Sequence, residues 1–300
     1  MVDLKIKLPE GFLDEEIRYG YTVSKQMKEV WAVELDLLAE IQRVCEKYHL
    51  KYFADAGTLL GTVRDKGFIP WDDDIDLCMF REDYDKLIAV ADIEFKSPYK
   101  FQSYHTEKNY PRGHAQFRNT RTTCILNVEK ADYNVQFNQG IFLDIFVLDG
   151  VPNNEKQLNA LGQKLAIYKK LLDYKTGYRI PTTNKGHVAE FLIKALPVPH
   201  LVYAGKIDKL LKQTRIEDVE VVAPLNFIFE TKKRARNKHL YDETVWLPFE
   251  FMNIPCPAGY DEFLTKRYGD YMKPSQIPTT HGGSILDADH PDCYYLQGKQ

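Results

Sequence analysis

The sequence predicts an α+β protein from the way its apolar residues are spaced. In residues 1–150, short apolar runs closed by Gly, Pro or Asp alternate with stretches whose apolar residues recur every three or four positions. After Pro152 the helical spacing dominates, and Pro181, Pro197 and Pro199 cut it into separate pieces. Strands interleaved with helices, followed by a mainly helical half, describe a sheet flanked by helices with a helical appendage.

The elements follow in order. Met27, Val30, Trp31, Leu35, Leu38, Ile41 and Val44 share one face of a helix predicted over 23–48. Residues 51–54 form a short strand that ends at Gly57, and residues 58–63 open a helix broken by the turn at 67–70. Residues 75–80 form a second strand, with Asp74 and Asp76 on one face because strand side chains alternate. Residues 81–91 are helical, 101–117 are mixed and polar, and 124–128 read as a strand. The most strongly buried strand is 140–148, GIFLDIFVL, apolar everywhere except at Gly140 and Asp144. Helices are expected over 156–174, 187–196 and 201–212, and a short one over 260–271 with Gly269 as its cap. With no repeat and no low-complexity linker, the chain reads as one unit. Its parts are an N-terminal arm and helix (1–49), a core (50–150) and a mainly helical remainder (151–300).

Composition narrows the function classes. A chain of 300 residues with 44% apolar and 28% charged residues has enough core to fold without staples. Its net charge of −3 argues against nucleic-acid binding through massed phosphate contacts. Five cysteines without CxxC spacing point to a reduced compartment. With no signal-peptide core and no apolar run long enough to span a bilayer, a cytoplasmic location is expected.

Chemistry concentrates at Trp71-Asp72-Asp73-Asp74-Ile75-Asp76. Four neighbouring carboxylates repel one another, and hard oxygen ligands suit Mg²⁺ or Mn²⁺. The run leads straight into an apolar strand, and Asp144 lies alone inside another, where burial without a partner is costly. If those strands are neighbours, Asp74, Asp76 and Asp144 converge on one cation, with Asp72 as an outer ligand and Asp73 as a turn or capping residue. An EF-hand is excluded: counting from Asp72, its glycine position holds Leu77 and its glutamate position holds Asp83. No Walker A loop is present. Gly57 and Thr58 sit on a strand-to-helix turn of the kind that offers backbone N–H groups to phosphate.

Gly57-Thr58, Asp74-Ile75-Asp76 and Leu143-Asp144-Ile145 together resemble the nucleotidyltransferase fold shared with polymerase-β-like enzymes. More narrowly, DAGTLLGTVR (55–64) followed by GFIPWDDDID (67–76) resembles the LicD family, which contains bacterial cholinephosphotransferases and fukutin-related transferases. Tyr268-Gly-Asp-Tyr-Met272, Pro274 and His281 fit the same pattern, and the resemblance spans residues 12–281. It implies a mixed sheet flanked by helices. It also implies a reaction that moves a phospho-alcohol, phosphocholine foremost, from a CDP-linked donor such as CDP-choline to a hydroxyl of a glycan or lipid-linked glycan, with CMP leaving. Teichoic acid and lipopolysaccharide are acceptors of that kind, and the inner face of the bacterial membrane is the expected place.

On that reading Asp74 and Asp76 hold the metal, while Asp144 either completes the coordination or accepts the proton of the attacking hydroxyl. Gly57 and Thr58 admit the donor phosphates. Arg64 either aims its planar fork at the diphosphate or pairs with Asp65 or Asp72. Arg118 is a weaker phosphate candidate, equally explained as an exposed strand end. His281 contacts a phosphate or serves structure. Trp71 anchors the acidic loop or stacks on a base. His49, His105, His114 and His239 read as surface or loop residues, and the basic run 232–238 as a solvated helix face or an anion contact. Residues 191–211 mix apolar residues with lysines, which leaves peripheral membrane contact open. A nucleotide-sugar glycosyltransferase and a non-catalytic nucleotide- or glycan-binding relative are the competing readings.

Overall fold

A computed structural model describes residues 1–129, 137–178, 181–276 and 283–296. A hairpin of β1 (Glu16–Arg18) and β2 (Tyr21–Val23) leads into α1 (Lys25–Lys47). Ser24 caps that helix by accepting the Met27 N–H. The predicted face of Trp31, Leu35, Leu38, Ile41 and Val44 is fully buried, packed towards the sheet. Next come β3 (Phe53–Ala54), α2 (Ala56–Arg64), β4 (Ile75–Phe80) and α3 (Arg81–Glu94), close to their predicted positions.

The mixed, polar stretch holds two strands, β5 (Tyr99–Gln102) and β6 (Ala115–Asn119). Every residue of β6 is buried on both faces, so polar Gln116, Arg118 and Asn119 erase the two-residue alternation that marks a half-buried strand. β7 (Thr123–Ile125) is shorter than expected and lies outside the main sheet. β8 (Phe142–Gly150) is buried along its whole length.

The helical section comprises α4 (Glu155–Thr176), α5 (Asn184–Ala195) and α6 (His200–Leu211). Asn154 caps α4 at its start, and Gly177, in the left-handed region at φ 70°, closes it. Beyond α6 the chain returns to strands, so the expectation of a mainly helical C-terminal half covers only α4–α6. β9 (Val221–Ala223) and β10 (Arg236–Asn237) extend the sheet's edge, with α7 (Thr231–Arg234) between them in the chain. A second hairpin, β11 (Thr244–Phe249) with β12 (Met252–Pro257), precedes α8 (Tyr260–Tyr268), which ends at Gly269 with φ 68°. β13 (Ile285–Asp287) pairs with β7, and α9 (Cys293–Leu296) is the last described element.

The seven-stranded sheet is mixed. β4 runs parallel to β8 at its centre, with Asp76 opposite Asp144. β3 pairs antiparallel with the other edge of β4. On its far edge β8 pairs first with β6 and then with β9, both antiparallel. The main core lies between this sheet, α1, α3 and the β11–β12 hairpin, and a second apolar cluster joins α4, α6, Leu225 and Ile228. Arg81 ties the two together. It forks onto Asp149 at 2.7 and 2.8 Å and reaches Asp208 of α6 at 3.2 Å, where the Tyr104 hydroxyl also donates. All five cysteines are free thiols. Among the described residues no helix is long and apolar enough to cross a membrane.

Candidate active site

The start of β4 is fastened to the start of α2. The Asp76 N–H donates to the Thr58 hydroxyl at 2.8 Å, and the Asp76 carbonyl accepts the Asp55 N–H at 2.9 Å. Asp55 caps α2 through the Ala56 N–H, and Ala56 sits at φ 42°, a left-handed conformation that disfavours a Cβ. A Cβ added at Gly57 would stand 2.5 Å from Asp72 Oδ2, so only glycine lets that carboxylate lie against the turn. The acidic loop is anchored by Trp31 as well as by Trp71, which packs against the main core. The Trp31 indole N–H donates to the Asp72 carbonyl at 3.1 Å, and its ring stacks on Phe68 at 4.5 Å. Trp71 is only half-buried, against Tyr21.

Asp74, Asp76 and Asp144 each offer a carboxylate oxygen, and these lie within 4.8 Å of one another. Asp72, Asp73 and Asp74 form a second such group that shares Asp74. Burial pushes Asp74 and Asp76 well above the usual carboxylate range, and neighbouring charges push further: Asp72, Asp73 and Asp144 on Asp74, and Asp74 and Asp144 on Asp76. Glu34 of α1 is fully buried behind the loop and raised for the same reasons, burial first, then Asp74, Asp73 and Asp72. An all-carboxylate donor set whose members oppose each other's ionisation fits a hard divalent cation, which would offset that repulsion. Asp144 Oδ1, buried and without a hydrogen-bond partner among the described residues, is consistent with the same use.

Several flanking residues differ from expectation. His114, read from the sequence as a surface or loop residue, is buried between Phe146 and Phe227. Its Nε2 faces Asp144 Oδ1 at 3.6 Å, beyond hydrogen-bond length. Burial lowers its pKa to about 4 against the pull of Asp144, so the ring is neutral at pH 7. Arg118 is not an exposed strand end. It is wholly buried, donates to the Gly140 carbonyl and to Gln116, and lies over the Phe142 ring at 4.6 Å. Because Gln116 pairs opposite Asp144 and Arg118 opposite Phe142, both side chains share the carboxylate face of the sheet.

Arg64 makes the ion pair with Asp65, at 2.9 Å, rather than presenting a free fork. The basic run is also not uniformly solvated. Arg236 is buried and forks onto Asp55 at 2.6 and 3.0 Å, with the Tyr241 hydroxyl at 2.8 Å. Burial raises the Asp55 carboxyl, but Arg236 and the Ala56 N–H outweigh it and hold it below the ordinary range. His281 lies outside the described residues. The sequence reading missed Glu34, His114 and Arg236: the first two carry no spacing signal, and the third hides in a lysine- and arginine-rich run.

Residues 49–148 match the nucleotidyltransferase domain of the LicD/FKTN/FKRP family. The lipopolysaccharide cholinephosphotransferase LicD of Haemophilus influenzae is 28% identical over 252 residues, covering 82% of this chain and 91% of its own. An uncharacterized protein of Rickettsia typhi is 38% identical over 77 residues, 24% of this chain and 25% of its own length. One of Rickettsia prowazekii is 43% identical over 47 residues, 16% of this chain and 18% of its own. The family match coincides with the segment running from the end of α1 to β8, which contains every converging carboxylate except Glu34. Residues 49–148 thus form a nucleotidyltransferase domain of the LicD/FKTN/FKRP family, within a chain similar along most of its length to the Haemophilus protein.

Proposed function

We propose that the chain transfers a phospho-alcohol from a CDP-linked donor to a hydroxyl of a cell-surface glycan precursor, with CMP released and Mg²⁺ or Mn²⁺ required. Phosphocholine from CDP-choline is the leading cargo, on similarity to the Haemophilus cholinephosphotransferase. The inner face of the bacterial cell membrane is the expected site of action. The observation that supports the reading best is the parallel β4–β8 pair, which sets Asp76 beside Asp144 with Asp74 within reach.

In this reaction the acceptor oxygen forms a bond to the choline-side phosphorus. The bond between that phosphorus and the bridging oxygen breaks, and the bridging oxygen leaves with CMP. Phosphoryl transfer needs charge neutralisation and in-line positioning more than covalent help. Asp74, Asp76 and Asp144 would hold the cation, with Asp72 outside them, and a bound cation supplies neutralisation of the diphosphate. Gly57 lets the Asp72 carboxylate lie against the α2 turn, and Thr58 fixes the Asp76 backbone. Neutral His114 faces the Asp144 oxygen that a hydroxyl proton would approach, which suits Asp144 to proton acceptance as well as to coordination.

The test is a donor screen with CDP-choline, CDP-ribitol, CDP-glycerol, UDP-sugars and CTP, each with a lipid-linked glycan acceptor and Mg²⁺ or Mn²⁺. Expected is CMP from one CDP-alcohol, reduced at least roughly a thousandfold in Asp74→Ala and Asp144→Asn. Both variants should melt no lower than wild type in chelator, since each removes a repelling charge. Release of UDP or of pyrophosphate would assign the site to a glycosyltransferase or a nucleotidyltransferase instead.

A further inference from the structure

Helix α5 faces the wrong way for a core helix. Val188, Phe191, Leu192 and Ala195 fall at i, i+3, i+4 and i+7, the spacing that normally packs inward, yet all four are exposed, Phe191 by 72%. The opposite face, with Gly186, Ala189, Glu190 and Ile193, is half-buried, and α5 packs on α4. Lys175 of α4 donates to the carbonyls of Lys194 at 3.1 Å and Leu196 at 2.6 Å, which clamps the end of α5 with its apolar stripe outward. Leu201 and Val202, in the first turn of α6, add further exposed apolar surface.

The surroundings are basic in a chain whose net charge is −3. Lys194 pairs with Glu190, and Lys212 with Asp85 and Asp208. Lys185, Lys206 and Lys209 are exposed and have no carboxylate partner among the described residues. Lys185 lies in line with Val188 and Leu192 on α5, and Lys206 and Lys209 with Val202 on α6, so exposed lysines continue both apolar stretches. That combination matches an anionic bilayer surface, where the apolar side chains enter the acyl boundary and the lysines meet headgroup phosphates. The same lysines would repel the corresponding face of a second copy.

We infer that α5 and the first turn of α6 form a monotopic docking surface for an anionic membrane. The inference does not rest on the transferase reading, because vesicle binding is measured without donor, acceptor or metal. The full chain is sedimented with vesicles of phosphatidylglycerol and phosphatidylcholine, and with phosphatidylcholine alone. Expected is binding to the anionic vesicles, weakened roughly tenfold or more in the double variant Phe191→Ser/Leu192→Ser. A several-fold loss, larger at low salt, is expected in Lys206→Gln/Lys209→Gln. Phe191→Trp should blue-shift its emission on adding anionic vesicles. All variants should keep the wild-type melting temperature, since the altered side chains are exposed. Failure of the wild type to sediment, equal sedimentation of wild type and the Ser variant, or a concentration-dependent dimer that the Ser variant dissolves would each overturn the inference.

Discussion

Individual residues in the site are shaped by close approach more than by side-chain chemistry. At Gly57 a methyl group would collide with the Asp72 carboxylate. Gly57→Ala should therefore lower kcat/KM by roughly tenfold or more by displacing Asp72. Alanine is the better helix former by about 1 kcal/mol, so the melting temperature should hold or rise. A steady-state assay beside a thermal melt checks both signs. Arg236 makes the opposite kind of contribution. Replacing it with Met leaves the Asp55 carboxylate buried and unpaired, and should cost about 3–5 kcal/mol in denaturant unfolding. The DDDID run was legible as chemistry because charge repulsion is visible in one dimension. His114 and Arg236 were not, since their significance comes from what lies across the fold: Asp144, thirty residues on, and Asp55, before α2.

At the scale of elements, legibility followed burial pattern. α1 was readable because its apolar residues recur at helical spacing, although Glu34 and Asp36 between them are buried as well, and β8 because its run is almost wholly apolar. β6 was not, since polar Gln116, Arg118 and Asn119 are buried in it, with Arg118 bound to the Gly140 carbonyl and to Gln116. β13 escaped for a different reason: it has three residues, and its partner β7 lies more than a hundred positions away. The C-terminal strands similarly lack a local signal. α5 was readable as a helix, but its spacing alone could not reveal that the apolar face points outward, because that depends on which side α4 occupies.

The whole molecule joins two apolar cores through one polar junction. Asp208 receives Arg81, the Tyr104 hydroxyl, His105 and Lys212. Burial raises its pKa, but His105, Arg81 and Lys212 outweigh that and hold it well below the ordinary value. A depressed carboxylate stabilises the fold above its unfolded pKa of about 3.9, and that stability is lost as pH falls towards the folded value. Acid should therefore weaken the junction from about pH 4 downward, while near neutrality the contribution of this group is fully present and constant with pH. Asp208→Asn should cost about 3 kcal/mol at pH 7 and flatten the acid limb of a pH–stability curve. Hydrogen exchange in α4 and α6 would report the loss before it reaches the main sheet.

The parallel pairing of β4 with β8 has a consequence for how relatives can diverge. The distance between Asp76 and Asp144 is written in the inter-strand hydrogen-bond ladder, a ruler of about 4.8 Å that no side-chain substitution redraws. On the proposed reading, the grip on a donor diphosphate would thereby be insulated from the walls that recognise the alcohol and the sugar. Specificity can drift, or be engineered, by changing those walls alone, with the calibrated centre carried along intact.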